Sequence, residues 1–206
     1  MLSLQTVVPH TLELIKGLMD KPSLKETRLV GGTSLALQYG HRSSDDIDLF
    51  GHIDCSLANL AHELQDIGEV TPVKESPNIK MLYLDGVKVD VVNYDYYDWI
   101  DDAIVEEGIR MASPKDIAAM KINAIQGRGS RKDFVDMYFL LQHYSLQEIL
   151  GFYEKKYPNF SIFRALMSPT YFEDAEKQEM PVMHTEIAWE QMKKCICKAV
   201  KQYKQP

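Results

Sequence analysis

Two short motifs within residues 29–50 contain the residue types that phosphate chemistry requires. The first is a glycine pair followed by a hydroxyl residue, Gly31-Gly32-Thr33. Glycine lets the backbone turn sharply and lets an anion approach closely, because no Cβ intervenes. Residues Thr33 to Tyr39 have the pattern of a short helix, and the unpaired N–H groups at a helix start attract phosphate. The alternative is an ordinary turn between a strand at Thr27–Val30 and this helix.

The second motif is Asp46-Ile47-Asp48, which lies in a predicted strand that ends at Phe50. Residues two apart in a strand point to the same face, so the two carboxylates project side by side. They repel each other unless a cation lies between them, and Mg²⁺ takes carboxylate and phosphate oxygens as ligands. The motif therefore predicts a divalent metal site. The alternative is a solvated strand edge that carries three acids, Asp45 included.

A third carboxylate lies in a predicted hairpin. The dipeptide Asp85-Gly86 separates two β-rich segments, which is a strong signal for a tight turn between strands. Asp90 lies inside the second segment, Val87–Val92, where an acid is costly to bury without a partner. If this strand is adjacent to the strand of the second motif, three acids could hold two metal ions. Two such ions would clamp the attacking and leaving oxygens of an in-line displacement.

With these motifs in place, the sequence resembles the AbiEii/AbiGii toxin family of nucleotidyltransferases, part of the DNA polymerase β-like nucleotidyltransferase superfamily. The specific part is Gly-Gly-Thr-x-Leu-Ala-Leu followed by His-Arg-x-Ser-x-Asp-Ile-Asp-Leu-Phe, from Gly31 to Phe50. The superfamily signature is often Gly-Ser, where this chain has Gly-Gly-Thr. The similarity continues through less specific motifs: Ser113–Asp116, Lys121, Ala124, Arg128, Lys132–Asp136, Tyr171–Glu176, Pro181 and Trp189.

The resemblance implies roles for individual residues. A nucleoside triphosphate (NTP) would be bordered by Gly31, Gly32, Thr33, Ser43, Ser44 and Lys121. Mg²⁺ or Mn²⁺, as two ions, would be held by Asp46, Asp48 and Asp90. The last of these acids could also accept the proton of the attacking hydroxyl. The resemblance also includes residues whose roles it leaves open, either as contacts to the acceptor or as members of the later motif at residues 113–136. These are Arg42, Arg128, Asp133 and Asp136.

Lys121 lies on the apolar stripe of a predicted helix that begins with Ser113-Pro114 and runs to about Gln126. Lysine is almost never fully buried without a partner. The functional interpretation is phosphate contact, and the alternative is that the stem packs while the ammonium reaches water. Nearby lie three basic residues, Arg128, Arg131 and Lys132. They could contact the triphosphate or an RNA acceptor. Equally, they could be solvated charges in a loop between helices, with Arg131 or Lys132 paired to Asp133 or Asp136.

Composition sets the outer bounds. The 206 residues carry 23 basic and 30 acidic side chains, a net charge of −7, which argues against a general nucleic-acid coat protein but not against a local basic groove. Three cysteines cannot form a disulfide framework, which fits a reducing cytoplasm. The chain shows no leader pattern at its start and no apolar stretch long enough to span a membrane. We therefore expect a cytoplasmic protein.

Strand patterns concentrate before residue 95 and helical patterns after residue 113. The predicted order is helix, strand, helix, strand, a helix at Leu57–Ile67, a hairpin and then helices, the last at Thr185–Tyr203. This order predicts an α+β fold. We expect a nucleotidyltransferase-fold mixed sheet with flanking helices over residues 1–100 and a helical C-terminal domain over residues 101–206.

Together these features predict a metal-dependent nucleotidyltransferase that transfers NMP from an NTP to an acceptor hydroxyl of RNA, such as tRNA, or of a protein. By resemblance it would be the toxin of a toxin–antitoxin or abortive-infection system, with a cognate antitoxin as a partner. One alternative is transfer to a small molecule, as in aminoglycoside modification. The other is a non-catalytic module that binds NTP or a partner, against which the intact acids argue.

Overall fold

The computed structural model describes residues 1–203 of the chain, so the last three residues of the predicted 101–206 domain lie outside the described part. Two compact units are present. The first, the sheet unit, comprises Met1–Asp98 and Asp102–Ala112. The second, the helical unit, comprises Trp99–Asp101 and the chain from Ser113 onward.

The sheet unit is built on one seven-stranded mixed sheet of order β3-β4-β5-β2-β1-β7-β6. Its strands are β1 Thr27–Leu29, β2 Ile47–Gly51, β3 Val70–Glu75, β4 Ile79–Leu84, β5 Val87–Asn93, β6 Ile104–Glu106 and β7 Ile109–Met111. Its helices are α1 Pro9–Met19, α2 Gly31–Tyr39 and α3 Leu57–Glu63. The pairs β2–β5 and β1–β7 are parallel, and the other neighbouring pairs are antiparallel. The predicted α+β class is confirmed.

One face of this sheet carries the hydrophobic core. In β2 the fully buried residues Ile47 and Leu49 alternate with Asp48, and in β5 Val89 and Val91 alternate with Asp90. The buried residues belong to one core cluster with side chains of α1 and α3. Because successive strand residues point to opposite faces, burial of the aliphatic set directs both acids to the other face.

The predicted hairpin is confirmed. Strands β4 and β5 are joined by Asp85 and Gly86, which both have positive φ, at 48° and 78°. Such values suit the two-residue turn whose twist matches the strands. The turn sets the pairing of β4 with β5, in which Met81 lies opposite Asp90.

Several element bounds differ from the sequence prediction. Helix α2 begins at Gly31 instead of Thr33, and α3 ends at Glu63, before Ile67. Strand β3 and the β6–β7 hairpin were not predicted. Strand β3 is an edge strand that contains a proline and is exposed along most of its length, so it lacks the usual alternation. Strands β6 and β7 have three residues each, too few to show a period.

The helical unit contains α4 Pro114–Gly127, α5 Arg131–Leu140, α6 Leu146–Lys156, α7 Ile162–Met167, α8 Glu173–Glu176 and α9 Trp189–Gln202. The last helix therefore starts four residues later than predicted from Thr185. Serine caps begin α4 and α6, where Ser113 and Ser145 accept backbone N–H bonds from the third helical residue. In residues 1–203, every helix is too short or too polar to cross a membrane.

Two interactions organise this unit. Asp116 and Lys156 form a fully buried ion pair with a 2.8 Å separation, and the same carboxylate accepts the backbone N–H of Ile100. An aromatic cluster of Phe134, Phe172 and Trp189, with ring centroids 4.8–6.2 Å apart, joins α5 to the start of α9. Aromatic residues supply large buried areas, so this cluster fixes the C-terminal helix to the rest of the unit.

Candidate active site

Two of the predicted acids face each other across neighbouring strands. Asp48 of β2 is the direct register partner of Asp90 of β5, and the two strands are parallel. Register partners in adjacent strands point to the same face of the sheet. Asp46 lies immediately before β2 and is half-buried. The sequence-based prediction that Asp90 lies on the strand next to Asp48, on the same face, is confirmed by this register.

Asp90 is incompletely satisfied by the protein. Its Oδ2 accepts a bond from the ammonium of Lys88, whereas its Oδ1 is buried and, within residues 1–203, has no hydrogen-bond partner. A buried carboxylate oxygen without a partner is costly. An oxygen-seeking divalent cation would satisfy it, because such ions bind carboxylates directly. The donor set of Asp46, Asp48 and Asp90 therefore fits Mg²⁺ or Mn²⁺.

Lys88 places a positively charged side chain beside these acids, where its ammonium bonds Asp90. Partial burial lowers the pKa of Lys88, but the hydrogen bond to Asp90 and the charges of Asp90, Asp48 and Asp46 outweigh it, so the pKa lies above its ordinary value. In the described residues, no three His, Cys, Asp or Glu side chains are already gathered as a metal-binding group. The arrangement is therefore an acid cluster whose charge is balanced in part by a lysine.

The glycine pair lies against this acid cluster. Gly31 has φ of +70°, in the left-handed region that favours glycine, and a Cβ there would overlap the carboxylate of Asp48. A Cβ at Gly32 would overlap the guanidinium of Arg42 and lie 3.3 Å from Ser44 Oγ. The sequence thus uses two glycines because the acid and the arginine occupy the space that side chains would need.

Hydroxyl groups hold the turn in place. The hydroxyl of Thr33 donates to the carbonyl oxygen of Asp46 and lies 2.9 Å from Ser44 Oγ. Arg42 is buried and donates to the carbonyl oxygen of Ser43 at 2.9 Å. The N-cap residue of α2, Val30, makes no side-chain cap bond to the start of the helix. The N–H groups of the first helical turn suit an anion, because they have no partner within the helix.

Lys121, in the helical unit, is bound by two buried carboxylates. Its ammonium lies 3.0 Å from Asp133 Oδ1 and 2.6 Å from Asp136 Oδ2, and its side chain is only 5% exposed. The alternative that this lysine packs its stem and extends its ammonium into water is therefore wrong. The lysine can be buried because Asp133 and Asp136 compensate its charge. Both acids lie in α5, the helix that follows α4 in the chain.

Asp133 combines this ion pair with a helix cap. It accepts bonds from Arg128 Nε at 2.9 Å and from the hydroxyl of Ser130 at 2.6 Å, and it completes the capping box of α5. Burial raises the pKa of Asp133. The charge of Lys121, the charge and hydrogen bond of Arg128, and the hydrogen bond from Ser130 lower it by more. The net effect holds this pKa far below its usual range. Arg131 instead bonds the backbone carbonyls of Ala175 and Glu176.

Comparison with known proteins identifies the chain. Residues 13–194 match the sequence profile of the family described as "Nucleotidyl transferase AbiEii toxin, Type IV TA system". The chain belongs to the AbiEii family. It is a nucleotidyltransferase of that toxin family, and the acid pair and the glycine turn described above lie inside the matched residues.

One curated protein and two solved structures are similar to this chain. An uncharacterized protein of Aquifex aeolicus (strain VF5), aq_aa25, is 33% identical over 186 residues, which cover 85% of this chain and 86% of that protein. The crystal structure of JHP933 from Helicobacter pylori aligns with a TM-score of 0.62 at 18% identity, over 97% of this chain and 90% of that one. MenT4, a nucleotidyltransferase toxin from Mycobacterium tuberculosis H37Rv, aligns with a TM-score of 0.56 at 11% identity, over 95% and 82%. At these identities both structures support the fold.

One residue of this candidate site, Lys88, was not predicted from the sequence. The signal was present, because Lys88 and Asp90 are two apart in one strand and therefore share a face. The paired roles of Asp133 were also missed. The spacing Ser130-x-x-Asp133 is a capping pattern, but its ion pair with Lys121 of the preceding helix depends on helix packing.

We predict that Gly32 and Arg42 are energetically coupled. Gly32→Ser should destabilise the protein by about 1–3 kcal/mol, because the new side chain overpacks against the guanidinium. In an Arg42→Ala background the same change should cost less, by about 1 kcal/mol or more. Urea unfolding of the four proteins of the cycle measures this coupling. Additive effects would contradict it, and Gly151→Ser, in open space on α6, is the control for adding a serine side chain.

A second prediction concerns the Lys121 ion pairs. Lys121→Met should lower the free energy of unfolding at neutral pH by about 3–5 kcal/mol, because the buried carboxylates of Asp133 and Asp136 lose the cation that they share. The folded-state pKa of Asp133 is depressed, so its contribution is present above the unfolded pKa of about 3.9 and is lost as pH falls below it.

The measurement is urea unfolding of wild type and Lys121→Met from pH 7 to pH 3. The difference between them should shrink as the pH falls below about 4. The control is Lys194→Met, which removes an exposed lysine of α9. A deficit for Lys121→Met that is small, or that is constant with pH, would show that the ion pairs do not stabilise the unit.

Proposed function

We propose that this AbiEii-family nucleotidyltransferase is metal-dependent and transfers NMP from an NTP to a hydroxyl of RNA, such as tRNA, or of a protein. The observation that carries the proposal is the register of Asp48 with Asp90, together with the buried, unsatisfied Oδ1 of Asp90. Buried polar atoms are normally hydrogen-bonded, and an unsatisfied one is costly, so the unpaired oxygen supports a cation site at this position.

The triphosphate is proposed to lie at the glycine turn. The support is the left-handed Gly31, the absence of a Cβ at Gly32 and a helix start whose N-cap residue, Val30, makes no side-chain cap bond. Backbone N–H groups at such a helix start suit an anion. Thr33 and Ser44 add hydroxyl groups, and Ser43 lies beside them. Arg42 adds a buried positive charge directly behind Gly32.

The metal would be held by Asp46, Asp48 and Asp90. When bound, Mg²⁺ or Mn²⁺, as one or two ions, would neutralise charge on the phosphates and on the attacking oxygen. The chain's own contribution is to hold Asp48 and Asp90 on one sheet face, with the aliphatic core behind them, and to place Asp46 directly before the strand that carries Asp48. Such preorganisation means that little rearrangement is needed when charge develops during the reaction.

The proposed step is an in-line displacement at the α-phosphorus. The acceptor hydroxyl oxygen forms a bond to the α-phosphorus, and the bond from that phosphorus to the α,β-bridging oxygen breaks. Pyrophosphate leaves with the electron pair of the broken bond. The proton of the hydroxyl passes to a carboxylate, for which we propose Asp90, because its two oxygens allow one to hold the metal and the other to accept the proton.

The later motif is proposed to assist the nucleotide. Lys121 remains our candidate for a triphosphate contact, but a phosphate would compete with Asp133 and Asp136 for its N–H groups. The Arg128 side chain is 63% exposed while it pairs with Asp133, so it can still meet an acceptor or a phosphate. A cognate antitoxin is proposed from the family's description as a toxin–antitoxin system.

The test is transfer of label from each of the four NTPs, labelled at the α-phosphate, into total RNA or lysate protein with Mg²⁺ present. Wild type should label a macromolecule, and chelation of the metal should abolish labelling. Asp90→Asn should reduce the rate by at least about a hundredfold while the fold survives, because the cluster loses one carboxylate ligand.

Asp45→Asn is the control, since Asp45 is an exposed acid next to Asp46, in the segment before β2. It should transfer at close to the wild-type rate. Labelling that persists in Asp90→Asn, or that does not need metal, would refute the mechanism. Label found only in added aminoglycosides would replace the macromolecular acceptor with a small one, and NTP binding without any transfer would indicate a binding module.

A further inference from the structure

The lysine inside the acid cluster has no role in the transfer step described above. Lys88 Nζ bonds Asp90 Oδ2, and its side chain is 38% exposed, so part of it remains open to solvent. The carboxylates of Asp90, Asp48 and Asp46 all act on this ammonium. The ammonium of Lys88 is therefore hydrogen-bonded to Asp90 and also lies within electrostatic reach of Asp48 and Asp46.

The position of Lys88 follows from strand geometry. Lys88 and Asp90 alternate with the buried Val89 in β5, so both point to the acid face. Across the sheet Lys88 is the register partner of Tyr83 in β4. A lysine has a long flexible stem and a compact charge, so its ammonium can leave a carboxylate without any movement of the strand.

We propose that Lys88 is the built-in counterion of the acid cluster: its ammonium holds Asp90 in the metal-free protein and must be displaced before a divalent cation binds. This inference rests on the proposed function, because it assumes that the three acids are the metal ligands. It explains how Asp48 and Asp90 are tolerated together on one face, because the ammonium offsets part of their negative charge.

The arrangement has a consequence for the order of binding. A divalent cation that enters alone must compete with the ammonium for Asp90. A metal–NTP complex brings negative charge with it, and the displaced ammonium then has phosphate oxygens to pair with. Lys88 should therefore weaken binding of the free metal more than binding of the metal–nucleotide complex.

The experiment is a titration of the full chain with Mn²⁺ in the absence of nucleotide, with bound metal followed by the loss of the free-ion paramagnetic resonance signal. Lys88→Met should bind Mn²⁺ about tenfold more tightly than wild type, since one competing positive charge is gone. In thermal melts the metal-free variant should be less stable than wild type, and Mg²⁺ should raise its Tm more.

Two further variants make the result specific. Lys88→Arg keeps the charge and should bind Mn²⁺ within about a factor of two of wild type. Lys74→Met removes an exposed lysine from β3 and should leave Mn²⁺ affinity unchanged. If Lys88→Met does not fold, Lys88→Gln, which removes the charge and keeps a polar side chain, carries the same expectation of tighter binding.

Equal Mn²⁺ affinity in wild type and in the Lys88→Met or Lys88→Gln protein would overturn the inference. That result would leave the proposed function intact if wild type still transfers label and Asp90→Asn does not. Failure of the proposed function has a different signature, in which wild type neither binds Mn²⁺ with NTP present nor transfers label. Weaker Mn²⁺ binding by the charge-removing variants would also overturn the inference, since Lys88 would then support the metal site.

Discussion

Repulsion between carboxylates on one sheet face is the constraint on which the sheet unit depends. Asp48 and Asp90 are register partners on parallel strands, and Asp46 precedes the same strand as Asp48. The opposite face fixes this register, because a slip of one residue would turn Leu49 and Val91 out of the core. The core therefore supplies the stability that keeps the acids together, and Lys88 balances part of their charge. The glycine turn adapts to the same constraint, since Asp48 fills the space beside Gly31.

In the helical unit, several charged side chains are buried in ion pairs. Lys121 lies between Asp133 and Asp136, and Asp116 binds Lys156. Buried ion pairs add little net stability, but removal of one partner is costly, so they fix the relation between helices. Asp133 pairs with Lys121 and also caps α5. Asp116 pairs with Lys156 and also accepts the backbone N–H of Ile100. The motif that resembles the AbiEii family in this half of the chain thus has a structural account beside any role in catalysis.

Much of the fold was predictable, for local reasons. The Asp85-Gly86 turn, the Ser113-Pro114 helix start and the alternation in β2 and β5 are signals that neighbouring residues carry. Strand β3 and the β6–β7 hairpin were missed because they are exposed or very short. The approach of Arg42 to Gly32 and the burial of Lys121 depend on packing between segments that are separate in the sequence, which one sequence does not reveal. The sequence contains a signal for the position of Lys88 beside Asp90, because residues two apart in a strand share a face. The sequence interpretation used only the acid.

The central claim is that Asp46, Asp48 and Asp90 of the sheet unit form the metal site of a nucleotidyltransferase. The most direct test is a crystal structure of the protein with Mn²⁺ and a non-hydrolysable NTP analogue, with the metal located by anomalous scattering. The account predicts a manganese peak bonded to Asp90 and to Asp46 or Asp48, with the triphosphate against Gly31 and Gly32 and Lys88 released from Asp90. A nucleotide bound elsewhere, with Asp90 still paired to Lys88 and no metal at the acids, would contradict it.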